Sequence, residues 1–297
     1  MTNQKPSHAV PGGDRTPAAT RKSYKDAPTT AVSVDGTRLV YRRLGSPNGI
    51  PVIFLNHLSA VLDNWDPRVV DGIAATRPVI TFDNRGVGAS GGKAPITVEA
   101  MATDAIGFIG ALGFDQVDLF GFSLGGFIAQ VIAQVRPQLV RKMILAGTGP
   151  AGGVGIDKVT SVTIRESIKA VLAFKDPKEK LFFSRTDNGK AAAKQFVKRL
   201  KERKTDRDKP ISVTTFRTQL RAIHTWGTQN PHDLSLIQHP VLIANGDDDI
   251  MVPTSNSVNM ARRLPNATLR IYPDAGHGGV FQHHNDFVAD AIKFLDL

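Results

Sequence analysis

The chain has 297 residues, of which 41% are hydrophobic and none is cysteine, and its formal net charge is +10 at pH 7. This length predicts one large domain with an insertion or two small domains, and the lack of cysteine excludes disulfides, thiolate metal sites and a cysteine nucleophile. No apolar run approaches the ~20 residues that a membrane-spanning helix needs, so we expect no membrane partner. The lack of disulfides suits a reducing, cytoplasmic environment, which we also expect.

The first 28 residues are rich in Thr, Ala, Pro, Gly and Lys and contain no hydrophobic run. Such a composition cannot bury apolar surface, so we predict a disordered tail over 1–28. Two β-type runs follow at 29–34 and 37–44. The Asp35-Gly36 pair between them is a hairpin signal, which predicts that the two strands are antiparallel neighbours.

From residue 51 onward, short apolar runs of strand length alternate with runs of helical periodicity. The predicted strands cover 51–56, 78–82, 116–121, 139–146, 240–245 and 267–272. The predicted helices cover 67–75, 97–112, 124–135, 255–263 and 285–296. With the hairpin, this alternation predicts an α/β fold with a mostly parallel eight-stranded sheet and helices on both faces.

One block, 150–235, interrupts the alternation and is mostly helical in pattern. We predict that residues 150–235 form a helical cap over a core made of 29–149 and 236–297. This segment is called the cap below. Between residues 150 and 240 there are 18 Lys and Arg against nine Asp and Glu. A basic run such as 198–209 can bind nucleic acid, but no aromatic residues interleave with it to stack on bases. We therefore expect a solvated helix face and no nucleic-acid partner.

The strand predicted at 116–121 runs directly into G-F-S-L-G-G, which contains the pattern G-x-S-x-G. Gly121 and Gly125 lie two residues either side of Ser123 and leave room for a sharp strand-to-helix turn. Such a turn exposes the Ser123 hydroxyl, and the following helix directs its positive dipole end toward it. The N–H of Leu124 then lies where an oxyanion would form. The alternative is a plain strand end whose glycines only turn a corner.

A serine nucleophile needs a base, and the base needs an orienting carboxylate. Both residue types occur downstream in the order that this turn requires: strand 240–245 leads into G-D-D-D, and strand 267–272 is followed by A-G-H-G. The carboxyl ends of parallel strands meet at one edge of a sheet, so Ser123 and His277 are expected to meet an aspartate there. The candidates for that aspartate are Asp247, Asp248 and Asp249.

Together these motifs resemble those of the α/β-hydrolase fold superfamily, over about residues 30–297. The segment F-D-N-R-G-V-G-A-S at 82–90 matches the D-x-R-G-x-G-x-S loop of the family, and V-I-F-L-N-H-L-S at 52–59 falls where many members have a strand followed by H-G. The chain is most similar to the group of 3-oxoadipate enol-lactonases, esterases and cofactor-free haloperoxidases. The family pattern G-x-x-D-x-x-x-P implies that Asp249 is the acid, with Ser123 as nucleophile and His277 as base.

The resemblance also implies an oxyanion hole and a substrate pocket. The N–H of Leu58 would be the second oxyanion donor beside that of Leu124. His57 stands where the family often has glycine, and it would be a pocket wall, a proton donor or a loop residue bonded to backbone. His224 and Trp226 lie near the end of the cap, where relatives place a helix above the nucleophile. They would line the acyl pocket or only anchor the cap.

The function implied by this resemblance is that of a serine hydrolase that cleaves a small-molecule carboxylic ester or lactone by acyl transfer, without a metal or organic cofactor. Haloalkane dehalogenases and epoxide hydrolases of this fold carry aspartate at the elbow, so Ser123 argues against both. Three alternatives stay open: a cofactor-free haloperoxidase or perhydrolase, a carbon–carbon bond hydrolase, and a hydrolase-like receptor with low turnover. The substrate and the oligomeric state are left open by the sequence.

Overall fold

A computed structural model of the chain describes residues 23–297, which contain one eight-stranded sheet and ten α-helices. The strands are β1 Thr30–Val34, β2 Thr37–Leu44, β3 Val52–Leu55, β4 Val79–Phe82, β5 Val117–Phe122, β6 Val140–Ala146, β7 Val241–Gly246 and β8 Ala267–Tyr272. The helices are α1 Pro67–Ala74, α2 Val98–Ala111, α3 Leu124–Val135, α4 Val159–Leu172, α5 Pro177–Leu181, α6 Asp187–Arg199, α7 Val213–Thr228, α8 Ser255–Arg263, α9 Gly279–Gln282 and α10 His284–Asp296.

The sheet has the order β1-β2-β4-β3-β5-β6-β7-β8. β2 is antiparallel to both of its neighbours, and every later pair is parallel. All residues of β3, β4, β5 and β7 are buried, so both faces of the central sheet are covered. On the sheet, α1 packs beside α10 and α2 beside α3. The predicted fold class is confirmed: a mostly parallel eight-stranded sheet with helices around it and a helical insertion.

Short sequence signals determine where several elements begin and end. Asp35 and Gly36 have φ values of 47° and 73°, the positive values that a tight hairpin turn between β1 and β2 requires. The side chain of Thr97 caps α2 by accepting a backbone N–H three residues along, at 3.2 Å. Asp66 caps α1 by accepting the N–H of Arg68 at 3.0 Å. In both helices an otherwise unpaired N–H of the first turn is thereby satisfied.

The cap is joined to the core partly through the arginines of its basic run. Arg199 forms an ion pair with Asp66 at 2.6 Å, and Arg203 donates to the main-chain oxygen of Ala27 at 2.8 Å. The side chains of these arginines are 12% and 8% exposed. The expectation of a solvated basic face is therefore wrong for these arginines, although the lysines of 198–209 are exposed. Arginine turns inward here because its guanidinium reaches a buried carboxylate and carbonyl oxygens.

Part of the predicted N-terminal tail packs onto the core. Residues 1–22 lie outside the described part of the chain, but the prediction of a disordered tail is wrong for 23–28. Tyr24 is buried and donates its hydroxyl to the main-chain oxygen of Leu62 at 2.6 Å, while its N–H donates to Asp71 at 2.6 Å. One buried tyrosine among polar residues gives no hydrophobic periodicity, which is why the sequence pattern missed this contact.

Candidate active site

Ser123 lies on a sharp turn between β5 and α3, with φ 55° and ψ −117°. A positive φ at a non-glycine residue is strained by roughly 1–3 kcal/mol and persists only where the surroundings impose it. Glycine is required on both sides of this turn. A Cβ atom added to Gly125 would lie 1.9 Å from the carbonyl oxygen of Leu55, and one added to Gly121 would lie 2.4 Å from the carbonyl oxygen of Gly125. The turn is thus pressed against β3, as expected for a nucleophile elbow.

The backbone of Ser123 is held on both sides of the turn. Its N–H donates to the oxygen of Ala146 at 2.9 Å. Its carbonyl oxygen accepts the N–H of Gly126 at 2.8 Å and the hydroxyl of Thr148 at 2.9 Å. The Ser123 hydroxyl takes no part in these bonds and lines a cavity instead. A nucleophile must be held in this way, with its main chain fixed and its reactive oxygen accessible.

His277 and Asp249 form a buried pair at the carboxyl ends of β8 and β7. The distance between His277 Nδ1 and Asp249 Oδ2 is 2.8 Å, and the two side chains are 1% and 0% exposed. The other carboxylate oxygen, Oδ1, accepts the N–H groups of Met251 at 2.8 Å and Val252 at 2.9 Å. Because an ionised carboxylate only accepts, the neutral imidazole carries its proton on Nδ1 and offers Nε2 as a base.

Of the three neighbouring aspartates, Asp249 is the one that hydrogen bonds to the imidazole. Asp247 accepts two backbone N–H groups of the loop that precedes His277, each at 3.1 Å, and so holds that loop in place. Asp248 is exposed. The structure therefore places beside His277 the same aspartate, Asp249, that the spacing G-x-x-D-x-x-x-P favours.

Ser123 and His277 open into one cavity of about 280 Å³ beneath the cap. Within residues 23–297, the Ser123 hydroxyl makes no hydrogen bond to His277; in free enzymes such contacts often tighten only when substrate binds. The remaining lining residues are His57, Leu58, Ser59, Thr163, Ser167, Pro177, Lys178, Leu181, Phe182, Ile211, Phe216 and Met251. A larger cavity of about 660 Å³ lies beside 23–28 and 43–46, but no histidine lines it.

The two N–H groups predicted to be oxyanion donors, those of Leu124 and Leu58, have no acceptor among residues 23–297. Leu124 is the first residue of α3, so its N–H has no acceptor within the helix. The N–H of Leu58 donates to no other group in the described part of the chain, and Leu58 lines the cavity with Ser123. The side chain of Leu124 is buried in the core, so its N–H is the group through which it would act.

The loop that carries Leu58 is fastened at both ends. Asn56 donates to the main-chain oxygen of Phe82 at 2.9 Å and accepts the indole N–H of Trp65 at 2.5 Å. Ser59, with φ 62°, donates its N–H to the side-chain oxygen of Gln219 in α7 at 2.8 Å. Gln219 was not among the residues predicted from the sequence. The available signal was a single amide side chain on the buried face of a cap helix.

His57 is buried in the wall of the cavity. Its Nδ1 lies 2.8 Å from the main-chain oxygen of Leu58. Burial, and after it the positive charge of Lys178, lowers the pKa of His57 to about 3, so the ring is neutral in ordinary buffers. The other ring nitrogen, Nε2, is buried and has no hydrogen-bond partner among residues 23–297.

His224 and Trp226 lie outside the cavity, so the pocket role predicted for them is corrected. His224 is exposed, and its Nδ1 lies 3.1 Å from the main-chain oxygen of Asp157. Trp226 is buried and stacks on Phe127 of α3, with ring centroids 5.2 Å apart. Trp226 thus anchors the cap to α3, the helix that follows Ser123. Two residues separated by two positions on a helix point in nearly opposite directions, so these side chains cannot share one pocket wall.

Residues 23–297 contain neither a metal-binding cluster nor a membrane-spanning helix. No group of three or more His, Asp or Glu side chains there is placed to hold a metal ion. None of the helices in the same part of the chain has the length and apolar character needed to cross a bilayer.

A family model described as alpha/beta hydrolase fold matches residues 50–284. The chain belongs to this family. A solved structure, the "Alpha/beta hydrolase fold protein from Chitinophaga pinensis", shares 40% identity and a TM-score of 0.88, covering 93% of this chain and 99% of that one. The enol-lactonase from Burkholderia xenovorans LB400 superimposes with a TM-score of 0.71 at 19% identity, covering 91% of this chain and 100% of that one, a likeness of fold alone.

Curated relatives of this α/β-hydrolase carry different activities in their names. The Rhizobium rhizogenes protein named "Putative carbamate hydrolase RutD" is 27% identical over 85% of this chain and 95% of its own length. The "Non-heme chloroperoxidase" of Streptomyces lividans is 25% identical over 90% of this chain and 99% of its own length. The resemblance inferred from the motifs is confirmed for the family, and these relatives show that the family alone does not define the reaction.

Proposed function

We propose that this α/β-hydrolase is a serine hydrolase that cleaves a carboxylic ester or lactone by acyl transfer. The observation that carries the proposal is the buried 2.8 Å pair of His277 and Asp249, which shares one cavity with Ser123 on its strained turn. A serine nucleophile is activated by a base next to its hydroxyl, and the base is in turn oriented by a carboxylate.

In the proposed reaction, the Ser123 hydroxyl attacks the carbonyl carbon while His277 Nε2 takes its proton. The negative charge that develops on the carbonyl oxygen is stabilised by the N–H groups of Leu58 and Leu124. Collapse of this intermediate breaks the bond to the leaving oxygen, which receives the proton from His277. A water molecule then attacks the acyl-enzyme by the same route, and Asp249 keeps the imidazole in the correct tautomer throughout.

The size and lining of the cavity support a small substrate. A volume of about 280 Å³ is at the lower end of ordinary small-molecule sites. The lining combines apolar side chains such as Leu181 and Phe182 with the hydroxyls of Thr163 and Ser167. We therefore propose short-chain esters or small lactones, rather than long-chain lipids, as substrates.

A second candidate, supported by the chloroperoxidase relative, is a cofactor-free perhydrolase. It would use the same acyl-enzyme, but hydrogen peroxide would attack in place of water, releasing a peracid and restoring the Ser123 hydroxyl. The two candidates therefore share the nucleophile and differ in the second acceptor of the acyl group.

The proposal is tested by measuring hydrolysis of p-nitrophenyl esters of increasing acyl length and of small lactones by the wild type and Ser123→Ala. Hydrolysis that is lost in the folded variant supports the proposed function. Peracetic acid formed from acetate and hydrogen peroxide faster than any ester is hydrolysed would favour the perhydrolase. Tight ligand binding with negligible turnover would favour a receptor, and cleavage restricted to a dienoate would favour a carbon–carbon bond hydrolase.

A further inference from the structure

His57 is a second histidine of the cavity, and no step of the proposed mechanism uses it. Its ring centroid lies 5.3 Å from that of Phe122 and 5.1 Å from that of Phe182. The ring of His277 contacts the same two aromatic residues, at 5.0 Å and 5.4 Å. Two imidazoles, both lining the cavity that contains Ser123, are therefore positioned by one pair of aromatic rings.

The hydrogen bond to Leu58 determines what the His57 ring can offer. A carbonyl oxygen can only accept, so the 2.8 Å contact from Nδ1 to the oxygen of Leu58 places the ring proton on Nδ1. Nε2 is then a lone-pair acceptor. With a pKa lowered to about 3, mainly by burial, the ring keeps this state across the working range of pH.

Nε2 of His57 is buried without a donor in the described part of the chain. A buried acceptor without a hydrogen-bond donor costs free energy, so its presence in a folded protein needs an explanation. A bound ligand that supplies the donor is such an explanation. The position of the His57 ring indicates which part of a bound ligand would donate the hydrogen bond to Nε2. Leu58 fixes the ring through its oxygen, and the N–H of the same residue is the proposed oxyanion donor.

We infer that His57 Nε2 accepts a hydrogen bond from a hydroxyl or N–H group carried by the acyl part of the substrate next to the scissile carbonyl. This inference rests on the proposed function and narrows its substrate class. Esters of 2-hydroxy acids, and lactones with a free 2-hydroxyl group, have such a donor, whereas simple alkanoate esters do not. His57 is in this account a specificity-determining residue, and Ser123 and His277 carry out the chemistry.

The kinetic test compares methyl 2-hydroxybutanoate with methyl butanoate, two esters that differ by one hydroxyl. The readout is the ratio of their kcat/KM values in the wild type, in His57→Phe and in His57→Gln. We expect the wild type to favour the hydroxy ester by at least about tenfold, because a site built around a substrate hydroxyl discriminates against analogues that lack it. His57→Phe should bring the ratio close to one. His57→Gln retains an acceptor oxygen, so its ratio should lie between those of His57→Phe and the wild type.

A wild-type ratio near one, or a ratio that His57→Phe leaves unchanged, would overturn the inference. Retained Tm in both variants shows that the comparison is made on folded protein. The ratio of the two kcat/KM values reports the contribution of the substrate hydroxyl alone, because a change that merely distorted the cavity would lower both values in similar proportion.

A binding test separates this inference from the proposed function. In ¹⁵N-histidine-labelled Ser123→Ala protein, 2-hydroxybutanoate should shift the His57 Nε2 resonance, and butanoate at the same concentration should not. No shift with the hydroxy acid up to the highest soluble concentration, or equal shifts with both acids, would overturn the inference. If the wild type hydrolyses no ester or lactone, the proposed function fails, and this binding result still decides the role of His57.

Discussion

Ser59 donates its backbone N–H to the Gln219 side-chain oxygen at 2.8 Å, and this bond joins a cap helix to the loop beside Ser123. Gln219 is 1% exposed. Because Leu58 directly precedes Ser59, the amide of Gln219 fixes the orientation of the peptide that follows the proposed oxyanion donor. The cap is therefore part of the architecture that holds the site, in addition to covering the cavity.

Gln219→Leu keeps the side-chain volume but leaves the Ser59 N–H without an acceptor. Losing an oxyanion donor outright lowers kcat on the order of 10²–10³, so misplacing one should lower kcat by about tenfold with a smaller change in KM. Steady-state kinetics on a short-chain ester, with the exposed neighbour Arg217→Ala as control, would check this. An unchanged kcat in folded Gln219→Leu would show that Gln219 does not position the loop that carries Leu58.

Asp249→Asn tests whether the Asp249 carboxylate orients His277 as the proposed base. The amide can donate to Nδ1 and so favours the wrong imidazole tautomer, and we expect kcat to fall on the order of 10⁴. Asp248→Asn is the matched control, because Asp248 is adjacent in sequence but exposed, and it should keep nearly full activity. Equal losses in the two variants would show that Asp249 has no special role.

Gly125→Ala tests whether the turn at Ser123 depends on close backbone contact. The added Cβ would lie 1.9 Å from the oxygen of Leu55, and relieving that overlap should destabilise the fold by about 3 kcal/mol or more. The control is Gly110→Ala in α2, where an added Cβ meets nothing within 4 Å. Replacing this helical glycine should increase the free energy of unfolding by roughly 0.5–1 kcal/mol. Urea denaturation measures both changes, and a fully stable Gly125→Ala protein would contradict the packing argument.

Asp83 is expected to make the stability of the fold depend on pH. Its Oδ1 accepts the N–H of Leu62 at 2.9 Å, and its Oδ2 is buried without a partner in residues 23–297. Burial, and after it the neighbouring Asp208 carboxyl, raises the pKa of Asp83 well above 3.8. The folded state therefore retains a proton that the unfolded state releases. The stability that this carboxyl contributes is complete below about pH 4 and is lost as pH rises through its raised pKa.

Asp83→Asn should remove this loss, since the amide is neutral at every pH and can donate toward Asp208. We expect the variant to gain stability relative to the wild type as pH rises, measured by urea unfolding at about pH 5 and about pH 9. Asp115→Asn, at an exposed position, should show no comparable trend. A difference between Asp83→Asn and the wild type that does not grow with pH would be inconsistent with a protonated Asp83.

The central parts of the fold and site were predictable because local chemistry determines them. Apolar runs of strand length can only be buried between helical layers, so the parallel sheet follows from their alternation. The glycines around Ser123 are required by contacts that any side chain would obstruct. The order of Ser123, Asp249 and His277 at three strand ends is enough to place them at one edge of the sheet.

The remaining features depend on which side of an element faces the core, and a single sequence defines that weakly. The spacing of His224 and Trp226 places them on opposite sides of α7, and only the packing on α3 shows that Trp226 is the buried one. Tyr24 is buried as an isolated residue and belongs to no periodic pattern. Gln219 lies on the buried face of α7 with Thr215 and Ile223, but the helical spacing of that face does not show that the amide accepts the N–H of Ser59.

The central claim is that Ser123 is the activated nucleophile, and covalent labelling tests it most directly. The folded protein is treated with a fluorophosphonate, which reacts with activated serines, and the adduct is located by peptide mass spectrometry. We predict one adduct at Ser123 that is absent in Ser123→Ala and forms far more slowly in Asp249→Asn. No labelling of the wild type, or labelling at another residue, would show that Ser123 is not an activated nucleophile.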